Sequence, residues 1–348
     1  MAAPIYVVES AVDGTTLAAR NPDRRHAIAS ITKLMTVLVT LEHADLDDTV
    51  VVPAAATRIG ESTVELRPGE RLTVRDLAIA ALVPSANDAA MALALHVGHG
   101  SEARFVALMN AKARQLGLRG THFANPHGLD EPTHYSTARD VVSLLRAALR
   151  NPFVRTWSAR PRATLPGGRT VETTDDLLAR LPSLVGGKTG HTEDAGWAQV
   201  AAASSGGVTI RAAVLGSATR EARNADLKAL LRWALAQYRS SLVVDPSRTY
   251  AIVDPGWGLP GLSLVARGAV VRPAPVNRPL VERVVAVQVP ALPVGRGQRL
   301  GEVRVYDGAR LVARAPLVAA RDVDEPKLLD KAEFFVRRTW HHLTGFVS

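Results

Sequence analysis

A serine and a lysine three residues apart, in the segment HAIASITKLMT, are the first residues of this chain that could carry out a reaction. On a helix Ser30 and Lys33 share a face, so the lysine amine can reach the serine hydroxyl. A neutral amine can accept the hydroxyl proton and make the oxygen a nucleophile. Because lysine is ordinarily charged near neutral pH, burial or a second cation must lower the pKa of Lys33. Taken alone, Ser30 fits a helix N-cap equally well.

A second group of short polar side chains follows in VPSANDAA. Pro84 interrupts a helical apolar pattern, so we expect residues 85–88 on a turn between two helices. There Ser85 could relay a proton and Asn87 could hold a substrate amide. The alternative is that one of the two is a helix N-cap.

A third group lies in GGKTGHTEDAGW, where we expect a strand bounded by glycines. The ammonium of Lys188 and the hydroxyl of Thr189 together suit a carboxylate. Glycines such as Gly190 let a substrate backbone approach closely. The sequence therefore offers a nucleophile with its base, a proton relay and an anion site, in that order along the chain.

Composition limits the other classes of site. The 348 residues are 47% hydrophobic and 22% charged, which is typical of a packed globular protein. The absence of cysteine excludes cysteine nucleophiles, zinc–thiolate sites, iron–sulfur clusters and disulfides. The histidines, including the loop cluster His122, His127 and His134, show no metal-ligand spacing. We therefore expect no metal and no cofactor.

The order of predicted elements indicates an α+β fold. Residues 5–20 read as a hairpin, and residues 196–218 as two strands joined by a Ser-Gly-Gly turn. Amphipathic patterns between and after them predict helices, which are expected at 31–43, 73–97 with a break, 101–118, 136–150 starting at Ser136, and 220–240. An antiparallel sheet closed by both ends of this region, with helices around it, fits the pattern.

The character of the sequence changes near Val243. We expect a catalytic domain over 1–243, a small β-rich domain over 244–321, and a linker with an amphipathic tail helix over 322–348. Residues 245–320 hold ten arginines, no lysine and five acidic residues, which fits an anionic partner or an arginine-rich composition. The pattern of the tail is compatible with three arrangements: it lies on a membrane surface, it docks on its own protein, or it precedes a transmembrane segment.

In order along the chain, the three groups correspond to S-x-x-K, S-D-N and K-T-G, the set used by class A β-lactamases and penicillin-binding proteins. With ASITKLMT, ELRPGERLTVRDL, SANDAAMALA, HYSTARD and GGKTGHTEDAGW, residues 4–245 resemble the serine D-alanyl-D-alanine carboxypeptidases, which are low-molecular-mass penicillin-binding proteins. The resemblance implies a β-lactamase/transpeptidase-like domain with an all-helical subdomain. By layout, the later regions resemble that family's small β domain and amphipathic anchor.

The resemblance also implies roles. Ser30 would form an acyl-enzyme with peptidoglycan stem peptides that end in D-Ala–D-Ala, and β-lactams would acylate it. Lys33 would be its base, with Lys188 nearby to lower the pKa. Ser85 and Asn87 would form the second motif. The carboxylate and oxyanion contacts would come from Lys188, Thr189, Gly190, the backbone N–H groups of Ser30 and His191, and Arg223.

The same motifs are compatible with other functions. A D,D-endopeptidase would use the same three motifs, and a non-catalytic penicillin-binding or wall-binding protein would be expected to have lost one of them. A β-lactamase would need a loop glutamate, and Glu131 and Glu172 lie in no recognisable version of that loop. No nucleic-acid-binding motif is present. We expect a place in the cell envelope, outside the cytoplasm, reached by a leader that MAAPIYVVES does not contain.

Overall fold

The computed structural model describes residues 1–286 and 291–344. The chain divides into two compact units, Met1–Ala236 and Gln237–Ser348. This division lies before the expected boundary at residue 243. The difference arises because Tyr238–Val244 forms a strand that pairs with a strand of the second unit.

The first unit combines helices and strands, as predicted. Its helices are α1 (Lys33–His43), α2 (Val74–Leu82), α3 (Asn87–Val97), α4 (Glu102–Gln115), α5 (Ala138–Ala148), α6 (Pro152–Trp157), α7 (Leu177–Arg180) and α8 (Arg220–Ala236). Its strands are β1 (Ile5–Ser10), β2 (Thr16–Arg20), β3 (Thr49–Val51), β4 (Arg71–Thr73), β5 (Arg162–Leu165), β6 (Arg169–Glu172), β7 (Leu184–Thr192), β8 (Gly196–Ser205) and β9 (Val208–Ser217).

The main sheet of this unit has the strand order β2-β1-β9-β8-β7, with antiparallel neighbours. The first strand pairs with the last, so that Val7 lies opposite Ala213, and the predicted closure by both ends is confirmed. Successive side chains of a strand point to opposite faces. Ala213 belongs to the large apolar core, whereas Val214 is buried on the other face, and both α5 and α8 pack on these strands.

The helical subdomain is built around α3, which contacts α1, α2 and α4. Its sequence, NDAAMALALHV, is rich in alanine, the residue with the highest helix propensity and a small side chain that allows close packing. Ala89, Ala92 and Leu93 are completely buried. A helix that is apolar all round is a core helix. The first residue of α3, Asn87, is therefore held firmly.

Two predicted helix starts are wrong. Ser30 lies inside a 3₁₀ turn, Ala29–Thr32, whose N-cap is Ile28. Ser136 precedes the actual cap of α5, Thr137, whose hydroxyl accepts a hydrogen bond from the backbone N–H of Asp140. The predicted interruption at Pro84 is confirmed, but it is shorter than expected because α3 already begins at Asn87.

The second unit is mainly β-structure. Its strands are β10 (Tyr238–Val244), β11 (Thr249–Val253), β12 (Leu262–Ala266), β13 (Val270–Pro275), β14 (Val281–Ala286), β15 (Arg299–Asp307) and β16 (Arg310–Ala319). They form a five-stranded sheet in the order β11-β12-β16-β15-β14 and the separate pair β10-β13. The rest of the valine-rich run after β14, at residues 287–290, lies outside the described residues.

The tail forms helix α9 (Leu328–Thr344). Phe334 and Phe335 make edge contacts with Trp257 of the second unit. Leu328 and Leu329 are strongly exposed. The predicted apolar positions Phe346 and Val347, and the side chains of Trp340 and Leu343, lie outside the described part of the chain. No helix within the described residues has the length and apolar content needed to cross a bilayer.

Candidate active site

The short 3₁₀ turn before α1 places Ser30 beside Lys33, the first residue of the helix. The Lys33 Nζ atom lies 2.6 Å from Ser30 Oγ. Lys33 is completely buried, whereas Ser30 lines an open cleft. The pair therefore has the contact that a hydroxyl and its base require, with the hydroxyl facing the space where a substrate would bind.

Two further acceptors surround the Lys33 amine. It donates to Asn87 Oδ1 at 2.7 Å and to the backbone carbonyl of His127 at 2.9 Å. A neutral amine has two N–H groups and one lone pair. When these two oxygens accept the N–H groups, the lone pair is left for the Ser30 hydroxyl. The arrangement thus orients Lys33 as a base.

The surroundings also favour the neutral form. Burial lowers the pKa of Lys33 well below its ordinary value, and the positive charge of Lys188 lowers it further. The negative charges of Glu61 and Asp88 act in the opposite direction and are weaker. The predicted influence of Lys188 is therefore present, but burial is the larger cause.

The second motif is set by an unusual backbone conformation. Ser85 has φ = 68°, in the left-handed region that residues other than glycine rarely adopt. It lies between the end of α2 and the start of α3, and its Oγ accepts a hydrogen bond from Lys188 Nζ at 2.8 Å. Neither Ser85 nor Asn87 is a helix N-cap, since that position is Ala86. Backbone strain of this kind is typical of functional sites.

Strand β7 carries the third motif at the edge of the main sheet. The Thr189 hydroxyl lies 2.5 Å from the hydroxyl of Thr174. At Gly190, an added Cβ atom would lie 2.7 Å from the Ile28 carbonyl oxygen and 3.2 Å from the Ser30 nitrogen. A side chain there would push the strand away from the nucleophile's turn. Gly190 is thus required for the close approach of the two elements.

A cleft of about 310 Å³ brings the predicted residues together. Of those nine residues, the ones that line it are Ser30, Ser85, Thr189, Gly190, His191 and Arg223. The other three lie behind its wall and are joined to it by the hydrogen bonds described above: Lys33, Asn87 and Lys188. Four distant segments of the sequence therefore meet in one place, around residues 30–33, 85–87, 188–191 and 223.

Lys188 has an environment of its own. Burial lowers its pKa to about 7, with the positive charge of Arg223 acting in the same direction and the negative charge of Asp175 opposing both. Asp175 is itself buried, which raises the pKa of its carboxyl group. An incoming carboxylate would add a second negative charge beside Lys188 and favour its charged form.

Arg220, which no sequence motif indicated, also lines the cleft. Its side chain is 42% exposed and forms two hydrogen bonds to Asp176, whereas the Arg223 side chain is 1% exposed and donates to Asn224. Because the two arginines are three residues apart on α8, they lie on neighbouring positions of one helix face. That spacing was the available signal for Arg220.

His191 is exposed and its ring stacks on Trp197, with 4.0 Å between the ring centroids. The guanidinium group of Arg223 lies 5.6 Å from the centre of the Trp197 ring. This stack fixes the end of the cleft next to Gly190. The imidazole of His191 is thus held by Trp197, and the expectation that His191 acts through its backbone N–H stays a prediction.

Comparison with known proteins leads to the same family as the sequence motifs. The profile of the family described as D-alanyl-D-alanine carboxypeptidase matches residues 1–219. The carboxypeptidase DacF of Bacillus subtilis is 30% identical over 96% of this chain and 88% of its own length. DacB2 of Mycobacterium tuberculosis is 38% identical over 63% of this chain and 76% of its own.

A solved structure extends the likeness to the fold. The D-alanyl-D-alanine carboxypeptidase DacD of Francisella tularensis superposes with a TM-score of 0.67 at 25% identity, and the match covers 94% of each chain. The predicted α+β fold, with its penicillin-binding catalytic domain, is confirmed. The chain belongs to the D-alanyl-D-alanine carboxypeptidase family of serine peptidases.

Proposed function

We propose that this chain is a serine DD-carboxypeptidase that removes the terminal D-Ala from peptidoglycan stem peptides. The observation that carries the proposal is the 2.6 Å distance between Lys33 Nζ and Ser30 Oγ. The Lys33 amine is buried, and two other acceptors hold it in one orientation. Ser30 Oγ attacks the carbonyl carbon of the D-Ala–D-Ala bond while Lys33 takes its proton. The C–N bond then breaks, and water later hydrolyses the ester on Ser30.

The departing D-Ala needs a proton on its amine. We assign this relay to Ser85, because its hydroxyl faces the cleft and is hydrogen-bonded to Lys188. The backbone N–H groups of Ser30 and His191 are assigned to the developing oxyanion. Ser30 lies on the turn that Gly190 closely approaches, and His191 follows Gly190 on β7. Such preorganised donors are typically worth about 10²–10³-fold in rate each.

The terminal carboxylate is assigned to the cationic end of the cleft. Lys188 and the Thr189 hydroxyl lie on β7, and Arg220 offers the more accessible guanidinium group of the two arginines. A carboxylate held there leaves its peptide bond next to Ser30. The same cleft would hold β-lactams, which acylate the serine as covalent inhibitors.

The main test compares two substrates. A pentapeptide ending in D-Ala–D-Ala is expected to release free D-Ala, and a cross-linked muropeptide is expected to be cleaved at least about tenfold more slowly, because the cleft binds a free terminal carboxylate. Chromatography of the released amino acid and of the muropeptides measures both. Preferential cleavage of the cross-link would assign the chain as a D,D-endopeptidase instead, and turnover of neither would favour a non-catalytic penicillin-binding protein.

We propose a location in the cell envelope, on the outer side of the cytoplasmic membrane, where this substrate lies. We further propose that the tail binds an anionic membrane surface through α9. Leu328, Leu329 and Val336 are exposed apolar residues on this helix, and the basic residues that follow them in the sequence suit lipid headgroups.

Vesicle co-sedimentation tests the tail. The complete chain is expected to sediment with anionic vesicles, and a chain that lacks residues 327–348 is expected to stay in the supernatant, because it has lost the exposed apolar residues of α9. Labelling by a fluorescent penicillin checks that the shortened chain keeps its catalytic unit. Equal sedimentation of both forms would show that α9 is not the anchor.

A further inference from the structure

Three arginines on neighbouring strands of the second unit lie directly opposite one another. In the five-stranded sheet Arg283 of β14 pairs with Arg304 of β15, and Arg304 pairs with Arg314 of β16. Directly opposed residues of antiparallel strands have Cβ atoms about 4.5–5.5 Å apart, and their side chains share one face of the sheet. The three side chains therefore form one line across the strands, which we call the arginine row.

The arginine row lies on the solvent side of this sheet. The adjacent residues Val303, Val305 and Ala315 point to the other face and belong to the buried core of the unit. That face is covered by the β10–β13 pair, which contacts β15 and β16 and adds Val243 and Val244 to the core. The three arginines are exposed, so a partner can reach their guanidinium groups from solvent.

The row contains more positive charge than its surroundings balance. Like charges directly opposite one another on adjacent strands are destabilising. Glu302, two residues before Arg304 on the same face, accepts hydrogen bonds from Arg304 at 2.6 Å and from Arg299 at 3.4 Å. In the part of the chain that the structure describes, neither Arg283 nor Arg314 forms an ion pair. The cost of the row is therefore not offset within the sheet.

Glu302 is also influenced by the third strand. The hydrogen bond from Arg304 holds the pKa of the Glu302 carboxyl group below its usual value, and the charges of Arg304, Arg314 and Arg299 act in the same direction. One carboxylate therefore faces three guanidinium groups. A surface with such an excess of positive charge suits an anionic partner.

The shape of the charged surface favours a linear partner. The row is one residue wide, because Arg304 lies between Glu302 and Tyr306 on its face of β15. The Arg283 guanidinium group lies over the Tyr306 ring, 5.2 Å from its centre. A plane of lipid headgroups would bring anions against Glu302 as well, whereas a chain laid along the row meets guanidinium groups. A bound peptide would need pockets for its side chains, and the row offers charge.

The chemistry of arginine favours phosphate groups. A guanidinium group is a planar fork of donors that binds two oxygens of one phosphate, and it stays charged at every physiological pH. A phosphodiester chain carries one negative charge in each repeat. Because adjacent strands are about 4.7–4.9 Å apart, neighbouring arginines of the row can bind successive repeats of such a chain.

We propose that the arginine row binds a linear phosphodiester polymer of the cell wall. The polymer runs across β14, β15 and β16, and its phosphates accept hydrogen bonds from Arg283, Arg304 and Arg314. The choice of a wall polymer among phosphodiesters rests on the proposed location outside the cytoplasmic membrane. The contact is non-covalent and takes no part in the reaction at Ser30. Its consequence is retention of the chain at the wall, where the proposed substrate lies.

The test measures binding of fluorescently labelled poly(glycerol phosphate) to the complete chain by anisotropy. Three phosphates neutralised by arginine release their counterions, so the affinity is expected to fall about 20- to 40-fold between 50 and 200 mM salt. The triple variant Arg283→Gln, Arg304→Gln, Arg314→Gln is expected to bind at least about tenfold more weakly at the lower salt concentration and to lose most of the salt dependence.

A second triple variant removes the same charge elsewhere in the same unit. Arg239 and Arg272 are exposed residues of the β10–β13 pair, and Arg296 is exposed in the segment before β15. The variant Arg239→Gln, Arg272→Gln, Arg296→Gln is expected to keep the salt dependence of the natural sequence. Thermal unfolding and labelling by a fluorescent penicillin check that both variants are folded.

Equal loss of affinity in both triple variants, or no binding by the natural sequence, would show that the row is not a polymer site. Anionic vesicles and duplex DNA are the comparison probes. If the row were needed for vesicle sedimentation but not for polymer binding, it would be a lipid surface, and if it bound only DNA, the partner would be a nucleic acid. Either result would overturn the proposal. Because the measurement is binding, a failure of the proposed peptidase activity would leave its outcome unchanged.

Discussion

Replacement of Ser30 by alanine is expected to abolish covalent labelling by a fluorescent penicillin and to reduce D-Ala release roughly 10⁴–10⁶-fold. The reason is that Ser30 Oγ is the hydroxyl that contacts the buried amine of Lys33 and also opens to the cleft. The loss of one partly exposed hydroxyl should leave the fold intact. Gel fluorescence of the labelled protein measures acylation, and thermal unfolding checks the fold.

A neighbouring serine provides the matched control. Ser62 lines the same cleft, but its hydroxyl donates to the Pro84 carbonyl and not to a side chain. Ser62→Ala is expected to retain covalent labelling. Labelling that persists in Ser30→Ala would show that another side chain carries the acyl group, and the assignment of the nucleophile would have to be abandoned.

Lys33→Arg is expected to slow acylation about 10³-fold, which is typical of the loss of a general base. A guanidinium group stays protonated in proteins and cannot accept the Ser30 proton, although it keeps the positive charge and hydrogen-bond donors. The measurement is the second-order rate constant for penicillin acylation. Lys112→Arg, which preserves a surface ion pair with Glu42, is the control and is expected to leave that rate unchanged.

The pH profile distinguishes lost basicity from lost packing. Only the neutral amine of Lys33 is active, so acylation should fall on the acidic side as Lys33 gains its proton. Because the charge of Lys188 lowers the pKa of Lys33, Lys188→Met should move that fall to higher pH. Thr189→Val changes the same strand without removing a charge and should leave its position unchanged. An acidic limb at the same pH in both variants would contradict a coupling between the two lysines.

Much of the catalytic centre could be predicted because three short motifs carry it. A serine and a lysine at helical spacing, a polar turn after Pro84 and a Lys-Thr-Gly strand each limit the backbone that can contain them. The main sheet could be predicted from the hairpin at residues 5–20 and from the two strands at residues 196–218. Local patterns of this kind require no knowledge of distant contacts.

The features that could not be predicted depend on backbone groups and on residues that are far apart in the sequence but close in the fold. The His127 carbonyl, which fixes the Lys33 amine, has no side-chain signature. The larger role of burial in the pKa of Lys33 depends on helices that enclose it from several directions. Ser30 and Ser136 were misread as N-caps because a serine before a helix is compatible with several turns, and tertiary contacts select among them.

The packing of the nucleophile's turn has a consequence for solubility. The turn Ala29–Thr32 lies over the face of β7 and β8, since a Cβ atom at Gly190 would point out of the sheet towards it, and the turn buries Ala29 and Ile31. A substitution that loosens the turn would therefore expose apolar side chains at the same moment that it disables Ser30. Self-association and loss of acylation should appear together in such variants, which ties the solubility of the chain to the integrity of its active site.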